Sequence, residues 1–142
     1  MTLEELQSQA DKDLVIDDTE LDTESLKTPI LHNKYLQYYN KFNLLLKKSQ
    51  WEERTLQREK WEYYTGKSDP EVYKEKPFDL KILRQDVDKY IDSDIELQKA
   101  KQKVDYLNTI VDYLDRTIRQ ISNRTFTIKN AIEWKKFTSG AI

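Results

Sequence analysis

From Leu97 onward the apolar residues Leu97, Ala100, Val104, Leu107, Val111, Leu114, Ile118 and Ile121 recur at alternating spacings of three and four. This is the pattern of a long helix with one continuous buried seam. β-Branched residues hold most of one seam position and Leu or Ile most of the other, as in a coiled coil or helical bundle. Ile110 and Tyr113 widen the stripe, so the helix has to meet more than one neighbour. The seam could be covered by helices of the same subunit or by a second copy, and the scarcity of other helices able to cover it favours self-association.

The rest of the chain reads as further helices. Thr2-Leu3-Glu4-Glu5 has the form of a capping box opening a short first helix. Leu14-Val15-Ile16 is too short to be assigned, and stands as either a short strand or an apolar anchor. Thr28-Pro29 predicts a helix start, because proline loses nothing at the first helical position. A start near Thr23 is the alternative, and Gly66 supplies the stop. Gly66 to Asp79, with Pro70 and Pro77, reads as a loop with Asp79 capping the next helical stretch. Ser93 with Glu96 marks a possible break around residues 92–94. A last helix is expected over Thr125–Phe137, with Gly140 just past its end. The organisation expected is an acidic arm with a short helix over 1–26, a helical core over 27–124 and a C-terminal helix over 125–142.

Composition narrows this picture. The 142 residues include two Gly and three Pro, which leaves little turn chemistry, and 37% hydrophobic content is lean for a large core built from one copy. Both point to an all-α fold of long helices that bury surface between subunits. There is no Cys, so disulfides and thiolate metal sites are excluded, and a reducing cytoplasm suits the chain. No apolar run reaches the roughly 18 residues of a membrane span. The net charge of −2 hides an asymmetry: residues 1–26 carry −8, residues 27–67 carry +5 and residues 68–142 carry +1. The acidic arm either neutralises the basic segment or faces a partner beside a phosphate-facing surface.

The basic segment holds the most informative constellation. On a helix, Lys47, Trp51, Arg54, Arg58 and Trp61 fall within an arc of roughly 80°, while Leu31, Tyr35, Tyr38, Phe42, Leu45 and Leu56 gather opposite. A cation ladder interleaved with indoles suits single-stranded nucleic acid, because the cations take phosphates and every base has a face that can stack. The competing reading is that Trp51 and Trp61 are buried at a subunit contact with Arg54 and Arg58 paired to nearby Glu. Other chemistry is poorly served. His32 is the only His, which leaves metal and triad catalysis without partners. Gly66-Lys67-Ser68 imitates the end of a phosphate-binding loop, but Trp61 stands where that motif needs Gly. Asp92, Asp94, Asp112 and Asp115 read as solvated helix-face acids.

The run Arg58-Glu59-Lys60-Trp61-Glu62-Tyr63-Tyr64-Thr65-Gly66 resembles the basic-x-basic-x-acidic-Tyr-Tyr-x-Gly stretch of the UvsY family of phage recombination mediators. Leu3-Glu4-Glu5-Leu6, Lys12-Asp13, Ile16-Asp17 and Thr19-Glu20-Leu21 are similar to the family's opening. Arg124-Thr125-Phe126-Thr127-Ile128-Lys129, with Phe137 and Gly140, is similar to its close. The resemblance spans essentially the whole chain and is weakest between Glu71 and Asp94. It implies a ring-like hexamer or heptamer that binds single-stranded DNA and loads a RecA-like recombinase of the UvsX type onto DNA covered by the phage single-strand-binding protein, in the cytoplasm of the infected host. It implies no enzymatic activity, cofactor or metal.

The family's two basic residues before the Tyr pair carry over to Arg58 and Lys60, with the types interchanged. They lie about 200° apart on a straight helix, so both cannot face one flat surface. The expected DNA-binding set is Lys47, Trp51, Arg54, Arg58, Lys60, Trp61, Tyr64 and Lys67. The expected oligomerisation set is Phe126, Ile128, Ile132, Trp134 and Phe137. The rival to this reading is a coiled-coil adaptor that binds only protein and uses the Trp-Arg stripe as its interface.

Overall fold

Helices supply all the regular structure among the described residues. The computed structural model describes residues 1–140: α1 (Leu3–Asp13), α2 (Leu21–Tyr64), α3 (Pro70–Glu75), a 3-10 turn (Arg84–Asp86), α4 (Val87–Asp92) and α5 (Ile95–Thr138). No helix among these residues is long and apolar enough to cross a membrane. The chain divides into two compact units, one formed by Met1–Phe42 with the chain from Thr109 onward, the other by Asn43–Asn108.

In the first unit, α1 begins with the expected capping box. The Glu5 amide donates to Thr2 Oγ1 at 3.2 Å, and the Thr2 amide to Glu5 Oε2 at 3.1 Å. Leu14-Val15-Ile16 forms neither strand nor buried anchor: Leu14 caps α1 and Val15 is exposed. The chain then turns at Asp17, whose carboxylate accepts from the Thr19 amide at 2.9 Å, and α2 starts at Leu21. Pro29 is therefore interior to α2 rather than its first residue. Its ring leaves the Ser25 carbonyl without the usual helical donor, and the helix continues because its neighbours are buried on both sides, at Glu24 and Leu31.

Side-chain bonds tie the helices of this unit together. Tyr35 is fully buried and donates its hydroxyl to Asp13 at 2.8 Å. Burial, and then this bond, push the Tyr35 phenol above its usual range. Burial works against the Asp13 carboxylate, but Lys34 and Tyr35 outweigh it and hold it below the usual range. Tyr38 donates to Gln9 at 2.9 Å. Arg124 of α5 pairs with Glu24 of α2, both enclosed by the unit. Fully buried Leu6, Ile110, Leu114 and Ile121 each contribute about 2 kcal/mol relative to exposure.

The second unit is built on the end of α2 and the start of α5. Its core joins Val87, Ile91 and Leu97 with the partly buried Leu56, Tyr64 and Ile82. The expected loop after Gly66 contains the short α3, opened by Asp69 with Pro70 in the first turn. Asp79 caps nothing, since the chain is irregular until the 3-10 turn at Arg84. The break before α5 occurs, but its cap is Asp94, whose Oδ1 accepts from the Leu97 amide at 2.9 Å. Ser93 instead turns back to the Lys89 carbonyl at 2.8 Å. A backbone bond competes with a cap for the same hydroxyl.

The buried seam of α5 also differs from the simple heptad. Leu97, Val104 and Leu107 are buried, then Ile110, Leu114, Thr117, Ile121, Arg124 and Ile128. The seam thus slips by one residue, from Val111 and Ile118 to Ile110 and Thr117. A straight helix of 3.6 residues per turn drifts against a strict repeat of seven, and the slip falls where α5 passes from one unit to the other. The separate helix expected from Thr125 is the end of α5 itself. Ser122 bonds to the Ile118 carbonyl at 3.1 Å, and no Gly or Pro interrupts the run.

Candidate nucleic-acid interface

The inward register of α2 in the second unit runs through Leu46, Ser49, Glu53, Leu56 and Lys60, again at spacings of three and four. Leu46, not the expected Leu45, is the buried residue. The other face of the same helix presents Lys47, Trp51, Arg54, Arg58 and Trp61, all exposed. Trp51 is 65% and Trp61 43% accessible, so neither indole is buried within the subunit. Leu44 extends the face by one more turn and is also exposed. It gives no signal in the sequence because a Leu in the run Leu44-Leu45-Leu46 reads as core.

The cations of this face lie over its rings. The Arg54 guanidinium sits 4.9 Å from the Trp51 ring centre, and Lys67 Nζ 4.4 Å from that of Trp61. Such contacts hold long side chains in place without neutralising them. Among the described residues, Lys47, Arg54 and Lys67 form no ion pair, and Arg58 makes only a long one, 3.8 Å to Glu62. Charge is therefore left available on this surface.

The end of α2 places Lys67. Gly66 adopts φ +75°, a conformation that costs little only without a Cβ. The Lys67 amide then donates to the Glu62 carbonyl at 2.8 Å and the Gly66 amide to Tyr63 at 3.3 Å. This paired closure of a helix C-terminus satisfies two free carbonyls and sends the chain back across its last turn.

Lys60 and Tyr64 are placed differently from the ladder. The Lys60 side chain is 14% exposed, and its Nζ lies 3.3 Å from both Asp94 Oδ2 and Glu96 Oε2. Tyr64 donates its hydroxyl to Asp94 Oδ2 at 2.6 Å and packs edge-on against Phe78 at 5.2 Å. Tyr63 stacks on Tyr73 at 5.4 Å and donates to the Lys76 carbonyl at 2.9 Å. The tyrosine pair thus fastens the 67–90 segment to the end of α2. Burial raises the Asp94 pKa, but the Tyr64 hydroxyl, the Leu97 amide and Lys60 outweigh it and hold the carboxyl below its ordinary range. Asp94 is not the solvated helix-face acid expected from sequence.

In the first unit, the C-terminal residues divide in the same manner. Ile128 is buried in the subunit's own core, whereas Phe126, Ile132, Trp134 and Phe137 are exposed. Trp134 and Phe137 stack at 5.8 Å. Phe126, Asn130, Glu133 and Phe137 share one face at spacings of four, three and four.

Known proteins share this fold. The family described as recombination, repair and ssDNA binding protein UvsY matches residues 9–141. The recombination protein UvsY of Enterobacteria phage T4 is 21% identical over 140 residues, covering 99% of both chains. Two crystal structures of the bacteriophage T4 recombination mediator protein UvsY superpose with TM-scores of 0.86 and 0.83 at 21% and 20% identity. The first covers 98% of each chain, and the second 97% of this chain and 99% of the other. The all-α fold is thus shared over nearly the full length, and with the sequence match across residues 9–141 it establishes that this chain belongs to the UvsY family.

Proposed function

We propose that this chain is a recombination mediator that binds single-stranded DNA on the exposed face of α2. It helps load a RecA-like recombinase of the UvsX type onto DNA covered by the phage single-strand-binding protein, within the cytoplasm of the infected bacterium. The observation that carries this reading is the ladder of exposed indoles with cations laid over them, in which, among the described residues, Lys47, Arg54 and Lys67 form no ion pair and Arg58 only a long one. Phosphates would meet Lys47, Arg54, Arg58 and Lys67, releasing counterions, while bases stack on Trp51 and Trp61 at about 1–3 kcal/mol each. Lys60 and Tyr64 would contribute by holding the segment beyond Gly66 against the helix.

The working species is a homo-oligomeric ring, a hexamer or heptamer, joined through Phe126, Ile132, Trp134 and Phe137, with Ile128 supporting that end of α5 from inside. DNA laid along such a ring takes a shape that favours the recombinase over the covering protein, a shift of population that needs no catalytic group or cofactor. The acidic first 26 residues are the surface proposed to meet the recombinase.

A coiled-coil adaptor with protein partners alone is the second reading, and exposed Leu44 beside the ladder favours it. Titrating oligo-dT while monitoring tryptophan emission separates the two. Quenching supports stacking on Trp51 and Trp61; unchanged emission together with no retention on single-stranded DNA supports the adaptor.

A further inference from the structure

A cleft of about 870 Å³ opens beside the end of α2, between Trp61, Tyr64 and Lys67 on one side and Phe78, Lys81 and Arg84 on the other. Its chemistry is one-sided. Three cations line it against one carboxylate, Asp88, and among the described residues Lys67, Lys81 and Arg84 form no ion pair. The walls between the cations are aromatic or aliphatic, and Leu80 on the rim is exposed. The neighbouring cleft, about 530 Å³, makes the contrast. It is lined by Arg58, Lys60, Lys67 and Lys76, but also by five carboxylates, among them Glu59, Glu62 and Glu96. Carboxylates there offset the cations, whereas the first cleft keeps an excess of positive charge that favours an anion.

We infer that the Trp61 cleft seats one nucleotide of single-stranded DNA, with its base against the Trp61 indole and its flanking phosphates between Lys67 on one wall and Lys81 and Arg84 on the other. The inference rests on the DNA-binding reading and extends it from one helix face to a pocket with two walls. Three features of the cleft fit this occupant. A flat, exposed ring with a cation already 4.4 Å above it is a stacking platform with an adjacent phosphate site. The volume accommodates a base and sugar, which a flat helix face does not. The far wall is rigidly placed, because Phe78 packs against both Tyr63 and Tyr64, at 5.5 and 5.2 Å. The 78–84 segment thereby gains a role in recognition, and the tyrosine pair acts as the positioning element that holds the second wall in place.

The test uses the full-length protein and oligo-dT, measuring affinity over a series of salt concentrations for wild type, K81A/R84A and the charge-preserving K81R/R84K. With both cations on phosphate, K81A/R84A flattens the slope of log K against log salt by about 1.4 and weakens binding roughly tenfold. K81R/R84K stays within about twofold of wild type. Adding W61A to K81A/R84A costs less than the sum of the separate losses, because one nucleotide makes all these contacts. Wild-type slope and affinity in K81A/R84A overturn the cleft while leaving the α2 ladder intact. Absence of oligo-dT binding by the wild-type protein overturns the DNA-binding reading and the cleft together.

Discussion

Lys60 Nζ lies 3.3 Å from the carboxylate of Asp94, with both side chains nearly enclosed. Lys60 is therefore committed inside its own unit, while Arg58, two positions earlier, is exposed. The two residues should respond differently to replacement. Lys60→Ala leaves Asp94 buried with only hydrogen-bond partners and is expected to destabilise the fold by about 2 kcal/mol. Arg58→Ala, whose one contact is a long surface pair, is expected to change stability by less than about 0.5 kcal/mol. Urea denaturation monitored by circular dichroism checks both. Equal stabilities for the two variants would show that the Lys60 network contributes nothing.

The same network sets a pH dependence. The Asp94 pKa is depressed in the folded protein, burial being outweighed by Tyr64, Leu97 and Lys60. Its stabilising contribution is thus present above the ordinary carboxylate value of 3.8 and is lost as pH falls through the lower folded value. Glu96, held down first by Lys76 and then by Lys60, adds to the same acid limb. Asp94→Asn is expected to lower stability at neutral pH and to flatten its fall below about pH 4. Melting curves between pH 2 and 7 measure this, and parallel acid limbs in the variant and the wild type would contradict it.

At the end of α5, inward and outward residues predict separable phenotypes. Ile128→Ala opens a cavity in a closed core and is expected to cost roughly 2–4 kcal/mol. Trp134→Ser with Phe137→Ser removes exposed rings and is expected to leave the subunit helical while lowering the assembly mass. Sedimentation equilibrium reads the mass and circular dichroism the helix content. An unchanged mass in the double variant would move assembly to another surface.

Much of the fold is legible from spacing. The capping box at Thr2 and Glu5, the long α2 stopping before Gly66, most of the α5 seam and the Lys-Trp-Arg face all come from local pattern. The features that are not legible depend on competition between neighbours. Pro29 reads as a helix start because a sequence window cannot show that burial at Glu24 and Leu31 carries the helix through it. Leu45 and Leu46 are indistinguishable as letters, because at three and four residues from buried Phe42 either fits its face, and only packing turns Leu46 inward. Ser93 and Asp94 are both good caps, and the hydroxyl is taken by the Lys89 carbonyl. Lys81 and Arg84 give no signal, because neither lies on a periodic face. Their significance comes from the aromatic packing that folds the 78–84 segment back toward Trp61.

The proposed DNA binding rests on phosphate contact by the exposed cations of α2. Its most direct test is the salt dependence of oligo-dT affinity for wild type and Arg54→Ala/Arg58→Ala, with assembly mass measured in parallel. The double variant should bind about tenfold more weakly, with a salt slope reduced by about 1.4, at unchanged mass. Wild-type affinity and slope in that variant would contradict the claim.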